Sequence, residues 1–524
     1  MGKRIVLLLL LASVTLSGCA GPETQSGKER ERINDNDGVY SLPKDDFMTL
    51  YLDITDNSEV PFYIASGKDR VNGEKVQFPL IMYEEEEITG GEKVPVTGVL
   101  QIKGNQAYKG YYRSFKITLD DEFLYKNQRI FLLYKCPEDP IRISMRLGMD
   151  LYALFDDIVS VRTGFAQVYM KAEGQSEYEN YGLYTFTENP GGRYLRNHGL
   201  DRNGELYEIK DFSLICEKWA GANETEKDEY AEHKNGENPD KLNRLMEALT
   251  KTEDPGELYD YYFNKENYLT WTAASILLGN YKAGKENFLL YSPTDSEKWY
   301  FFPLPTDNIL QRQERKSWST PPDSYTGLGW FMESPVHYEF FREEENRNDL
   351  EKKIKELYQV LQEEDVAGIC NEYKKTLAVF LSNNPEYGML KYSVADTETK
   401  INQVPELIKA NYEAALANLE NPMPFTLYEP VLSEDGKHHR LSWQASISSS
   451  PVTYHIKISK DLAAEEVVFQ MITQELSCII EEELAGYYYI HITAENQNGT
   501  QVMNEYEKGQ TASVWGVKRY EFHK

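Results

Sequence analysis

Leu100-Gln101-Ile102-Lys103-Gly104-Asn105, followed by Tyr112-Arg113-Ser114-Phe115-Lys116-Ile117, is the stretch on which the reading of the fold turns. Leu100 and Ile102 alternate with Gln101 and Lys103, and Phe115, Ile117 and Leu119 alternate with Lys116 and Thr118. That two-residue period belongs to strands with one face buried and one face polar. Gly104 to Gly110 joins them through a turn-rich connection.

Outward from this pair the same reasoning continues. Upstream, Met48, Leu50, Leu52 and Ile54 alternate with Thr49, Tyr51 and Asp53, predicting another strand. Downstream, Leu147, Leu151, Leu154 and Phe155 give the spacing of one helix face, with Ser144 as its expected N-cap. Phe165–Met170 and Tyr181–Thr187 read as a hairpin. A helical block begins near Lys265, and two aromatic strands follow at Asn287–Tyr291 and Trp299–Pro303. Residues 346–418 are expected to be helical, with Leu350, Ile354, Leu357, Tyr358 and Leu361 on one stripe. Pro405 falls where a first helical turn tolerates it.

Asn421-Pro422-Met423-Pro424 breaks the chain. Beyond it Tyr454, Ile456 and Ile458 alternate with polar partners, as do Tyr488, Ile490, Ile492 and Ala494. With Trp443 near its start, the segment 425–524 predicts a seven-strand β-sandwich. Cys478 has no second cysteine there, so the segment resembles a fibronectin type III module rather than an antibody domain.

The N-terminus carries an address. Lys3 and Arg4 precede an apolar run from Ile5 to Val14, too short to span a bilayer, which ends in Leu16-Ser17-Gly18-Cys19. This pattern predicts a signal peptide over 1–18 and lipidation at Cys19, whose acyl chains would hold the protein on the extracytoplasmic side of the cell membrane. Residues 19–45 are polar and charged and read as a flexible tether, about 25 Å long at random-coil scaling. A net charge of −29 argues against a nucleic-acid partner, which needs a basic face. The eight histidines show no HExxH spacing, so a zincin-type metal site is not expected. Acids are numerous, but no pattern singles out a glycosidase pair.

Further elements recur in a fixed order: Tyr181-Gly182-Leu183-Tyr184-Thr185-Phe186-Thr187-Glu188, Glu205-Leu206-Tyr207-Glu208, Leu277-Leu278-Gly279-Asn280, Asn287-Phe288-Leu289-Leu290-Tyr291, and Tyr300-Phe301-Phe302-Pro303 through Asp307-Asn308. Together with the opening strand pair, this set resembles the CotH (spore-coat kinase H) family over residues 46–420. The resemblance implies an α+β fold, an atypical protein-kinase-like (CotH-type) domain followed by the all-β fibronectin type III-like sandwich. It also implies binding of ATP with Mg²⁺ or Mn²⁺ and phosphorylation of extracytoplasmic proteins.

By the same resemblance, Arg113 and Lys116 are candidate phosphate contacts. Glu188 matches a glutamate that orients such a cation, and Asn287 and Asp307 match metal-binding positions. Leu304 replaces a tryptophan of the pattern, Gln106-Ala107 departs from its turn after Asn105, and two further departures remove expected aspartates. Lys282 stands where an aspartate is expected as catalytic base, and Pro305 replaces the first aspartate of a D-x-D pair. A lysine neither accepts a hydroxyl proton nor holds a metal, so the expectation is an impaired kinase. The alternative is a non-catalytic pseudokinase scaffold, or a surface protein that binds protein or glycan partners.

Overall fold

The structure is a computed structural model that describes residues 33–42, 47–56, 59–66, 70–71, 74–84, 95–103, 113–212, 218–251, 255–310, 327–433, 438–509 and 513–523. The signal peptide, Cys19 and the Gly104–Gly110 turn lie outside the described residues.

Seven strands form a closed barrel: β1 (Phe47–Ile54), β2 (Gln77–Glu84), β3 (Val96–Lys103), β4 (Ser114–Leu119), β5 (Ile130–Tyr134), β6 (Thr163–Lys171) and β7 (Glu179–Glu188). Their order is β1-β2-β3-β4-β5-β7-β6, and β6 closes the ring by pairing in parallel with β1. The expected strand pair is β3 with β4, in antiparallel register with Leu100 opposite Ile117 and Ile102 opposite Phe115. Alternation does the rest. Leu50, Leu100, Phe115, Ile117, Phe131 and Phe186 fill the barrel interior, while Gln101, Lys103 and Lys116 remain on its outer face.

A second sheet lies beside the barrel in the order β9-β8-β10-β11, formed by β8 (Glu205–Ile209), β9 (Ala231–Asn235), β10 (Phe288–Ser292) and β11 (Tyr300–Pro303). It shares one core with the helices behind it. Helix Lys265–Leu277 is buried along its whole length from Asn267, and it packs against Glu344–Glu363 and Val404–Leu419. The Asn267 amide ties this helix to the sheet, donating to Phe301 O (3.1 Å) and accepting from Phe301 N (2.7 Å).

Two expectations need correction. Ser144 is the first helical residue and not the N-cap, which is Ile143. Capping comes from outside the helix: Asp139 Oδ2 accepts from Ser144 N (2.8 Å), and Oδ1 accepts from the Ser144 hydroxyl (2.8 Å). Residues 33–42, read from composition as tether, are docked on the folded body. Ile33 is buried in the helical core, Asn34 Oδ1 accepts from Asp157 N (2.9 Å), and Asp35 meets Arg162 (2.9 Å) and His198 (2.7 Å). Partners more than one hundred residues away compensate the polar composition.

The C-terminal segment forms β-rich sheets packed as a sandwich. One sheet joins Val431–Leu432, His439–Ser442 and Ser477–Ile480. The other runs Val467–Thr473, Thr453–Ser459, Gly486–Glu495 and Thr500–Val502, with Val517–Phe522 also paired to Gly486–Glu495. Trp443, Tyr454, Ile456 and Ile490 form its core, and Cys478 is a free thiol. These two sheets hold eight strands, one more than the seven expected, and Tyr506–Lys508 with Ser513–Trp515 adds a short hairpin beside them.

Candidate functional site

The outer face of the barrel meets the second sheet along a narrow cleft. Lys103 from β3, Tyr134 from β5 and Thr187 from β7 form one wall; Glu208 from β8, Lys234 from β9, Asn287 ahead of β10 and Pro305 after β11 form the other. The enclosed space is about 40 Å³, room for a water molecule. A nucleotide therefore enters only if the barrel and sheet part. A larger cavity of about 480 Å³ lies elsewhere, beside Trp219, Asn243 and Arg244. Its polar groups are already engaged: Arg244 grips Glu297 (2.9 Å), and Trp219 Nε1 and Lys227 both donate to Asn243 Oδ1.

Charge collects at the narrow cleft. Lys234 bridges Glu208 (3.0 Å) and Glu232 (3.2 Å). Lys103 lies 6.0 Å from the Tyr134 ring centre and, among the described residues, has no carboxylate within ion-pair distance. Burial lowers the pKa of Lys103; Glu208 partly offsets this, and Lys234 and Lys116 add repulsion. Across the cleft, Asn287 adopts a left-handed φ of 65°, and its buried Nδ2 has no hydrogen-bond partner among the described residues. Lys103 and Asn287 thus line the same space, and their ammonium and amide groups are of the donor types suited to anionic oxygens.

The residues singled out from sequence divide. Asn287 and Pro305 line the cleft. Lys116, half-buried on the same barrel face, does not line it but feels its charge: burial lowers its pKa, and Lys234 lowers it further. Arg113, the other candidate phosphate contact, is only 1% exposed, an interior guanidinium that is not among the cleft's lining residues.

Glu188 lies at the cleft wall with its carboxylate turned away. Oε1 accepts from Gln128 Nε2 (2.9 Å), and Oε2 accepts from Arg162 N (3.0 Å) and meets His198 Nε2 (2.8 Å). Burial alone would raise this carboxyl, but His198 and Arg162 outweigh it and hold the pKa below the ordinary value. The cation that Glu188 orients is therefore Arg162, whose Nη1 lies 3.7 Å from Oε1.

Asp307 Oδ1 accepts from Asn308 Nδ2 (2.9 Å). Burial raises its pKa, and the positive charge of Lys282 pulls the other way. Lys282 stands on the turn Tyr281–Gly284 and pairs with Glu286 (3.2 Å). The donor set around Asp307 does not fit a divalent ion. Pro305 brings no donor, and Asp139, whose pKa burial and the nearby Asp307 carboxylate raise, spends its oxygens on Ile141 N, Ser144 N and Ser144 Oγ. Among the described residues, no group of three or more His, Cys, Asp or Glu side chains is placed to hold a metal.

Sequence reasoning passed over Lys103, Lys234 and Glu208. Two of these were visible: Lys103 is the basic residue just before Gly104-Asn105, and Glu208 ends Leu206-Tyr207-Glu208. Lys234 sits in an isolated polar strand with no local mark of its partners.

The family description CotH kinase protein matches residues 100–415. No curated protein matches the chain. Among solved structures, the Helicobacter pylori proinflammatory kinase CtkA aligns with 12% identity and a TM-score of 0.24, over 57% of this chain and 91% of that one. The family match runs from the strand that carries Lys103 almost to the end of the last helix, more than half of the sequence, so this chain belongs to the CotH kinase protein family.

Proposed function

We propose that the barrel–sheet cleft binds the phosphates of a nucleotide, ATP in the first instance, on a protein whose phosphotransfer to extracytoplasmic proteins is impaired. The observation that carries this reading is that Lys103 and Asn287, whose amide nitrogen has no partner among the described residues, line one cleft of a CotH kinase-like domain. Phosphoryl transfer relies on positioning and charge stabilisation, and the cations here supply both. Impairment follows from Lys282 and Pro305 at positions where the family pattern calls for aspartates. A non-catalytic scaffold that engages protein or glycan partners is the second reading, favoured by those same two residues.

Around this cleft we place the rest of the chain as an anchored surface protein. Cys19 carries the acyl chains, and the sandwich is a fibronectin type III module. Its division into sheets, the first, second and fifth strands against the others, supports that assignment. No helix among the described residues is long and apolar enough to cross a membrane.

The test is thermal unfolding of the chain from residue 20 onward with and without ATP. Ligand at one hundred times its Kd stabilises by about 2.7 kcal/mol. A rise in Tm that Lys103→Ala abolishes supports the nucleotide site. No rise at saturating ATP rejects it and leaves the scaffold reading.

A further inference from the structure

Most of the large hydrophobic side chains that stay exposed among the described residues lie in the C-terminal sandwich. Val467, Met471, Ile472, Leu476 and Ile479 follow one another there along two adjoining strands. Val467–Thr473 ends the order of the five-stranded sheet, Ser477–Ile480 ends that of the three-stranded sheet, and residues 474–476 join them. Two sheet edges therefore lie together, each paired on one flank only among the described residues.

The longer edge is unguarded. Sheet edges are ordinarily blunted by charged side chains, by proline or by cover from another element. Val467-Val468-Phe469-Gln470-Met471-Ile472-Thr473 carries no charge and no proline. In register with the neighbouring strand, Met471 stands opposite Ile456 and Ile472 opposite His455. Ile456 is buried, so Met471 is on the core side of the sheet, yet it is exposed, as is Ile472 (66%) on the other side. An added strand would bring cross-strand neighbours to both faces at once, along with partners for the free backbone groups.

Charge indicates what kind of strand fits. Glu465 and Glu466 precede the edge and Glu475 follows it; all three are exposed, and none forms an ion pair among the described residues. The basic side chains opposite the edge in register, His455 and Lys457, belong to the strand behind it, and His455 is already paired with Glu495 (2.7 Å). A second copy paired antiparallel about a two-fold axis at Gln470 would set Glu465 against Glu475 in both halves, like charge facing like. A strand with basic ends meets the opposite sign.

We propose that the Val467–Thr473 edge docks an extended segment of another protein by strand addition, an uncharged run of apolar and β-branched residues bordered by lysine or arginine. This is independent of the nucleotide reading, and it gives the protein-partner reading a defined surface.

The experiment measures binding of a fluorescein-labelled peptide, Lys-Lys-Thr-Val-Thr-Val-Thr-Val-Thr-Lys-Lys, to the full chain by anisotropy. One control peptide has glutamate in place of the terminal lysines. A second has two adjacent prolines at its centre, which remove a backbone donor from each edge of the peptide. Each control is expected to bind about tenfold or more weakly than the first peptide. Ile472→Lys, a charge placed on the exposed edge, is expected to weaken the first peptide by a similar factor while keeping the wild-type Tm. Equal binding of either control peptide overturns the inference, as does failure of the first peptide to bind. A dimer in sedimentation equilibrium that Ile472→Lys dissociates assigns the edge to a second copy and also overturns it.

Discussion

Lys135 and Glu386, 251 residues apart, form an ion pair in the interior where the barrel meets the helices. The Lys135 ammonium also donates to Tyr181 O (2.8 Å) and Leu183 O (2.9 Å), and Glu386 accepts from Leu183 N (2.8 Å) and from Arg142. Every charge in this group is enclosed, so each depends on the others for compensation.

Glu386→Ala leaves both Lys135 and Arg142 without a counter-charge. Removing one partner of a buried pair costs about 3–5 kcal/mol. Denaturant unfolding should show a lower midpoint with little change in slope. An effect below about 1 kcal/mol would mean that water replaces the carboxylate.

Gly182 separates the two carbonyls that bind Lys135 and adopts φ +80°. A methyl group there would collide with Glu386 and crowd Lys135 Nζ at 3.0 Å. Gly182→Ala combines backbone strain with disruption of the pair, and a loss of about 2 kcal/mol or more is expected in the same assay.

His198 lies between Asp35 (2.7 Å) and Glu188 (2.8 Å), with Arg162 and Asp37 close by and Tyr194 against its ring. Two carboxylates require a donor on each ring nitrogen, which only the protonated imidazole supplies. Burial lowers the His198 pKa, but both carboxylates outweigh it, and the net shift is upward. The stabilisation it gives is complete below the unfolded value near 6.5 and is lost as pH rises through the folded value. Hydrogen exchange of residues 33–42 should therefore accelerate on the alkaline side. His198→Gln should remove that pH dependence.

At the cleft, Lys103→Ala and Asn287→Ala should each weaken ATP binding, the lysine change by about tenfold or more, because a charge-assisted hydrogen bond contributes about 1.5–3 kcal/mol. Lys116→Ala should have a smaller effect, since Lys116 shares the barrel face without lining the cleft. Equal losses for all three would point to general charge attraction in place of a defined site.

Much of this was legible from local periodicity. Phe115, Ile117 and Leu119 inside and Lys116 outside follow from a two-residue period, and the β6–β7 hairpin follows from two such runs. What local pattern does not carry is pairing across distance. The parallel match of Phe47 with Phe165 closes the barrel and leaves no mark in either strand alone. Arg113 reads as a phosphate contact because the sequence does not record what encloses it, and Glu188 reads as orienting a phosphate-binding cation because its partners Gln128, Arg162 and His198 come from separate elements. Asn287 was placed at the site by its motif and Lys103 was not, although both face the same space.

The closed barrel has a mechanical consequence. A sheet with free edges can flatten or fray, but a ring in which every stave is hydrogen-bonded on both sides resists bending until a backbone ladder breaks. The wall that carries Lys103 and Tyr134 is therefore the stiff hoop of the cleft, while Glu208, and Asn287 just ahead of its neighbouring strand, sit on an open four-stranded sheet that has free edges among the described residues.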